Sequence, residues 1–352
     1  MFFYNYVNHG NRYKYSGKIL YNYLKKENED LIYKDISSIN NLDIKDEDYV
    51  YYYFEYNNKP LSSHIIGRDP KANKYFDKIH QYNDFKEFFP ESIIIDSYNT
   101  LKVCIDMIKR NNKLYATLDK GYGGNSSFII DKHNIYDTYN IIKNNNTKAR
   151  VTPYLNIVKN ISVHLILFED GYIITNKTNQ YIYKNVQFRG NFYPNNLTEE
   201  ENKYIDMIIV SIADKLIKMN ILGIIGLDLM ITDDNKVYLA EINPHKMGSS
   251  ACINMLSELE WNIPIPILEY YACSGLSIND IKLKVNDINK IKWSLLYLCN
   301  TENISNKYNI INSEDMFDYM KDTYNNRNNH IVYFKDNYNS KDMYFRLKLE
   351  AI

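Results

Sequence analysis

The chain has 352 residues, 45% of them hydrophobic, and a formal net charge of −1. Its length leaves room for two or three domains, its composition is that of a soluble globular protein, and its near-neutral charge gives no global bias toward nucleic acid. No apolar run reaches the roughly 18–20 residues that span a bilayer, and Cys104, Cys252, Cys273 and Cys299 fall into no CxxC or Cys/His pattern, so no membrane span, zinc site or disulfide framework is expected.

The N-terminal "MFFYNYVNHGNRYKYSG" lacks the basic start, apolar core and small-residue cleavage site of a secretory signal. A cytoplasmic protein with free thiols is expected, with neither nucleic acid nor membrane as partner. The same stretch reads as a strand. With a helix over 16–26 and a second strand in "YVYYYFEY" it makes a small α/β unit, residues 1–72. The 35 tyrosines are spread over most of the chain and, like its Asn, Lys and Ile, have A/T-rich codons, so we read them as genomic bias. "GRDPKAN" breaks the pattern. A helix is expected from about Asn73 to just before Pro90, and a second in "TLKVCIDMIKRN", with Leu101, Ile105 and Ile108 on one face. "KLYATLDKGYGGNSSFIID" reads as strand, glycine loop, strand. "NISVHLILFEDGYIITN" reads as a hairpin turning at Glu169, Asp170 and Gly171.

The clearest helix is "TEEENKYIDMIIVSIADKLIKMNILG". Thr198 and Glu201 form a capping box, Ile205, Ile208, Ile209, Ile212 and Leu216 a buried stripe, and Gly223 a stop. Beyond Trp261 a helix in "SEDMFDYMKDTY" and strands in "NHIVYFKD" and "MYFRLKLEA" stand among Asn-rich loops.

The chemistry concentrates in "GIIGLDLMITDDNKVYLAEINPHK". Two apolar strands flank a turn-rich group. With Asp234 and Asn235 as the central turn residues, Asp228 lies opposite Glu241 and Gly226 opposite Asn243. Glu241 and Asn243 share a face, because side chains alternate along a strand. Facing carboxylates repel unless something positive lies between them, and two carboxylates with an amide suit a hard cation such as magnesium. Gly226 then leaves room for a phosphate. Magnesium on few carboxylates commonly also binds substrate phosphates. "DKGYGGNSS" offers the cradle: Gly121, Gly123 and Gly124 let backbone N–H groups approach an anion, and Asn125, Ser126 and Ser127 follow. There is neither a GxxxxGK[ST] nor a GxGxxG pattern, so a P-loop and a Rossmann fingerprint are both set aside.

These segments, with "RVTPYLNIVKNISVHLILFEDG", resemble the ATP-grasp superfamily of the carboxylate–amine or carboxylate–thiol ligase type, over roughly residues 73–255. The resemblance implies a small N-terminal α/β domain (1–72), one ATP-grasp lobe with the glycine loop (73–150), a second with the metal hairpin (151–260), and an unassigned C-terminal extension (261–352). It implies ATP between two α+β lobes, with Mg2+ on Asp228, Glu241 and Asn243. Thr152, Tyr154 and Leu155 would contact adenine and Asn160 the ribose. Lys74, with Lys78 as alternate, would bind phosphate beside Gly121, Gly123, Gly124, Asn125 and Ser126. Two departures stand out. Relatives often carry a lysine on the strand before the glycine loop; here that place is Thr117, and the nearest lysine is Lys120. Some ligases have an arginine two residues before the metal Asp; here it is Gly226, and Arg189, His245 and Lys246 are the candidates to supply the charge. Arg189 and Lys246 are the expected catalytic residues.

The activity implied is ATP-dependent joining of a carboxylate, activated as an acyl phosphate, to an amine of amino-acid or peptide type. A kinase acting on a hydroxyl and a nucleotide-binding regulator without turnover are the alternatives.

Overall fold

A computed structural model describes residues 1–6, 14–36, 42–52, 64–67, 69–121, 126–184, 187–261, 263–281, 291–298, 308–338 and 341–352. The first of the three sheets among these residues is parallel, in the order β2-β1-β3-β4, from β1 (Phe2–Tyr6), β2 (Ile32–Ile36), β3 (Tyr49–Tyr52) and β4 (His64–Ile66). Parallel neighbours need a crossover, and α1 (Lys14–Leu24) supplies the one between β1 and β2. Its Ile19, Leu20 and Leu24 pack with Phe3 and Tyr51.

The second sheet is antiparallel, in the order β5-β8-β6-β7. Its strands are β5 (Ile93–Ile95), β6 (Leu114–Leu118), β7 (Ser127–Ile130) and β8 (Ala149–Pro153). The helix α2 (Lys78–Phe85) precedes it, and α3 (Tyr98–Asn111) and α4 (Ile135–Asn144) cover one face. Leu101, Cys104, Ile108 and Ile142 meet Leu114, Ala116, Ala149 and Val151 there. Alternation then sends Tyr115, Thr117, Arg150 and Thr152 to the other face.

The third sheet runs through β9 (Ile157–Phe168), β10 (Gly171–Ile174), β11 (Thr178–Tyr183), β12 (Gln187–Tyr193), β13 (Gly223–Thr232), β14 (Val237–Asn243), β15 (Ile291–Leu298), β16 (Ile310–Asn312), β17 (His330–Tyr338) and β18 (Lys341–Ala351). Its order is β14-β13-β9-β11-β12-β15-β18-β17-β16, with β10 folded back on β9. The helix α5 (Glu199–Lys218) lays Ile205, Ile209, Ile212 and Leu216 on Ile161, Val163, Ile225 and Leu227. The helices α6 (Ser250–Glu260), α7 (Ile265–Cys273) and α8 (Met316–Asn326) share a second core with Trp293, Leu295, Phe334 and Leu347. No helix among the described residues is long and apolar enough to cross a membrane. Cys104, Cys252 and Cys273 form no disulfide among the described residues; Cys299 lies outside them.

The capping box of α5 forms as expected, with Thr198 and Glu201 each accepting the other's backbone N–H. The helix ends at Lys218, and Asn220 just beyond it, with a φ of 53°, reverses the chain; Gly223 does not end the helix but opens β13. The helix expected over 73–89 is broken: a 3-10 turn covers Pro70–Phe76, and Asp77 then caps α2 by accepting from Ile79 and His80. Residues 261–352 are not a separate sheet. β15 pairs with β12, so the C-terminal strands extend the sheet that begins at β9.

Candidate active site

The β13–β14 hairpin sets Asp228 opposite Glu241 and Gly226 opposite Asn243, the register expected from the sequence. The route to it differs. Near the turn, Ile231 pairs with Val237 and Leu229 with Leu239, one residue out of step with that expectation. An irregularity at Ala240 shifts the pairing, as a bulge does, and brings Glu241 to Asp228. Ile225, Leu227, Leu229 and Ile231 enter the core under α5, so Asp228 stands on the opposite face. From β9, Ser162 pairs with Asp228, His164 with Gly226 and Asn160 with Met230, on that same face.

Asp228 accepts from Gln180 Nε2 at 2.8 Å and from Asn243 Nδ2 at 2.9 Å. Burial first, and then the Glu241 carboxylate, push the Asp228 carboxyl up to about 7. The pair thus resists carrying two charges unless a cation joins it. Two carboxylates and an amide side chain match the ligands a hard, oxygen-seeking cation takes. Among the described residues, no group of three His, Cys, Asp or Glu gathers anywhere. Proton and metal compete for Asp228, so magnesium affinity is expected to fall about tenfold between pH 8 and pH 6. Titration calorimetry across that range checks this; a flat profile rules it out.

The lysine facing this cluster is Lys78, not Lys74. Lys78 Nζ lies 3.4 Å from Glu241 Oε1, and the lysine side chain is 7% exposed. Its backbone N–H donates to Asp119 O at 2.8 Å, which ties α2 to the end of β6. Lys74 sits before the Asp77 break and points elsewhere, pairing with Asp84 at 2.9 Å and lying over the Tyr75 ring. Had the helix run unbroken from Asn73, both lysines would share one face, because residues four apart do.

Of the glycine loop, Gly121 and Ser126 are described, whereas Gly123, Gly124 and Asn125 lie outside the described residues. Gly121 has a φ of +144°, and a Cβ there would come within 2.1 Å of Ser126 Oγ, so the position admits only glycine. Ser126 is buried, and its Oγ has no hydrogen-bond partner among the described residues. Lys120 is exposed at the start of the loop. Residues 154–156 link β8 to β9, and hence the second sheet to the third. Tyr154 N is held by Lys113 O, Leu155 is half-buried, and Thr152 is buried opposite Tyr115.

The expected catalytic pair is not gathered at the carboxylates. Lys246 is fully buried, bonded to Glu269 Oε1 at 2.6 Å and Tyr52 O at 3.1 Å, and lies over the Tyr51 ring at 4.6 Å. It joins α7 to the first sheet. Arg189 bonds Gln187 and stacks toward Tyr183, which alternates away from Gln180 on β11. Gln180, not Arg189, reaches Asp228. His245 stacks on Phe76. The space beside Gly226 is filled by Met247, whose Sδ would lie 2.4 Å from an added Cβ, so it does not await a phosphate.

Three contributors escaped the sequence reading. Gln180 left no signal. His164 is held neutral by burial and by Lys246, which push its pKa down to about 3. Its Nε2 meets Ser250 Oγ at 2.6 Å and fixes the turn after β14. Arg150 could have been found: it stands two residues before Thr152 and so shares its face.

The ATP-grasp domain family is matched over residues 77–249. No curated protein matches the chain. Among solved structures, the chain is similar to N5-carboxyaminoimidazole synthetase from Staphylococcus aureus with ADP, at TM-score 0.63 and 13% identity, covering 98% of this chain and 92% of that one. The corresponding Aspergillus clavatus enzyme, with ADP and 5-aminoimidazole ribonucleotide, gives TM-score 0.63 and 10% identity, with 98% and 93% covered. D-alanyl-alanine synthetase A from Vibrio cholerae gives 0.57 and 11%, with 78% and 97% covered. The segment that carries Lys78, the glycine loop, Asp228, Glu241 and Asn243 is an ATP-grasp domain.

Proposed function

We propose that this protein is an ATP-dependent ligase that activates a substrate carboxylate as an acyl phosphate and joins it to an amine of amino-acid or peptide type, releasing ADP and phosphate. The observation that carries the reading is the facing set Asp228, Glu241 and Asn243 with Lys78 at its edge. Likeness to a synthetase holding ADP and an aminoimidazole ribonucleotide, and to a D-alanyl-alanine synthetase, supports a nucleotide together with small partners.

The chemistry needs no protein nucleophile. The substrate carboxylate oxygen attacks the terminal phosphorus, ADP leaves, and the amine then displaces phosphate from the acyl phosphate. A magnesium ion held by Glu241, Asn243 and Asp228 would supply positive charge against the transferring phosphoryl group. Lys78 would hold phosphate oxygens, and Gly121 with Ser126 would bring backbone and hydroxyl donors from above. Thr152, Tyr154 and Leu155 would seat the base, and Asn160 the ribose. The division at 1–72, 73–150 and 151–260 then gives a substrate-side domain and two nucleotide-binding lobes.

ADP release, screened against paired panels of amino acids and short peptides with mass spectrometry of the products, tests the reading. Release that needs both a carboxylic acid and an amine supports it. A stable phosphorylated hydroxyl product replaces it with a kinase, and tight ATP binding without turnover replaces it with a regulator. Lys78→Ala is expected to weaken ATP binding about ten- to a hundredfold, the range for a charge-assisted contact. Lys74→Ala is expected to stay within about twofold, because its pair with Asp84 is at the surface. Calorimetry that reverses this order would return the phosphate role to Lys74.

A further inference from the structure

A buried cation in the cleft is still unaccounted for. Arg150 is 6% exposed. It stands on β8 directly opposite Thr117 of β6, on the face turned away from α3 and α4. Its guanidinium lies 4.3 Å over the Phe89 ring, and its Nη2 donates to Ala240 O at 3.3 Å, the carbonyl of the residue at which the β14 register shifts. That bond crosses from the second sheet to the third. Nε and Nη1 have no hydrogen-bond partner among the described residues. A guanidinium carries five N–H donors and stays protonated, so buried donors without acceptors are costly. Burial pulls its pKa down to about 10, and the Glu241 carboxylate is the main influence in the other direction. Glu241 is thus close enough to be felt, yet no bond from Nε or Nη1 reaches it.

We infer that Arg150 binds the phosphate groups of the nucleotide, taking from the neighbouring strand the part that a lysine at position 117 would take. The inference rests on the nucleotide reading above. Position 117 is threonine, buried, and paired across the sheet with Arg150, so the two side chains open into the same space. Charge-assisted bonds to phosphate oxygens are strong, and Nε–H and the Nη1 hydrogens offer them on different edges of the planar group. Ala240 O holds Nη2 in place.

The test is calorimetry with ATP, ADP and adenosine. Arg150→Met keeps the length and apolar contact of the side chain and removes its charge. It is expected to weaken ATP and ADP binding about ten- to a hundredfold and to leave adenosine within about twofold. Adding Thr117→Lys to Arg150→Met is expected to recover about tenfold of the ATP affinity, which a purely structural strut would not allow. Arg150→Lys is expected to fall between parent and Arg150→Met. ATP affinity in Arg150→Met equal to the parent's overturns the inference. So does an equal loss for adenosine and ATP, or a double variant no better than the single one. A parent that binds none of the three overturns the nucleotide reading and this inference with it.

Discussion

Glu241→Gln is expected to lower magnesium-dependent ADP formation by about 10²–10³-fold, with the fold retained. The carboxylate supplies the charge that the cation needs, and losing one preorganised charge-stabilising group costs a few kcal/mol in the transition state. Asn243→Ala is expected to act similarly, because it removes a ligand and also a donor that holds Asp228. Asp228→Asn is expected to lose less, since an amide oxygen can still coordinate and the carboxyl is already hard to ionise beside Glu241. The metal-free stability of Glu241→Gln separates this account from a structural one. Removing Glu241 relieves its repulsion of Asp228 and gives up a 3.4 Å pair with Lys78 and a favourable field at Arg150. The gain and the losses offset, so the urea midpoint without metal is expected to stay close to the parent's. Parental turnover in the variant, or a large drop in that midpoint, defeats the metal assignment.

Where a residue type and its spacing suffice, the site was legible in the sequence. Asp228, Glu241 and Asn243 declared themselves because strand alternation and a cross-strand repulsion are both visible in a linear string. Even so, the assumed turn was wrong by one residue, and the register shift at Ala240 corrected it. A bulge depends on how a strand meets its neighbours, and nothing local to "VYLAEIN" announces one. Lys74 was preferred over Lys78 for a similar reason. The break at Asp77 comes from a side-chain cap that competes with helix continuation, and it turns the two lysines apart. The missing positive charge was sought close in sequence, at Lys120, Arg189, His245 and Lys246. Arg150 and Gln180 arrive from strands whose neighbours are fixed only by the sheet order. The C-terminal strands were read one by one, yet their place in the third sheet rests on the pairing of β15 with β12, across about a hundred residues of chain.

Lys246→Ala is expected to destabilise the protein by about 3–5 kcal/mol, the range for breaking a buried ion pair and stranding the other charge. Both members are sealed, with side-chain exposures of 1% for Lys246 and 0% for Glu269. Burial pulls the lysine pKa down and pushes the glutamate pKa up, and each partner works against that in the other. A catalytic lysine could give the same loss of activity simply by unfolding, so the single variant does not discriminate. Lys246→Met combined with Glu269→Leu does. Replacing a buried pair by apolar side chains of similar volume is commonly neutral or stabilising, so the double variant is expected to regain most of the lost stability. If Lys246 only ties α7 to the first sheet through Glu269 and Tyr52, ADP formation returns with stability, to within a few-fold of the parent. If Lys246 touches the reacting groups, the refolded double variant stays inactive however stable it is. Urea midpoints and initial rates measured on the same preparations decide, and a stable but dead double variant would restore Lys246 to the catalytic machinery.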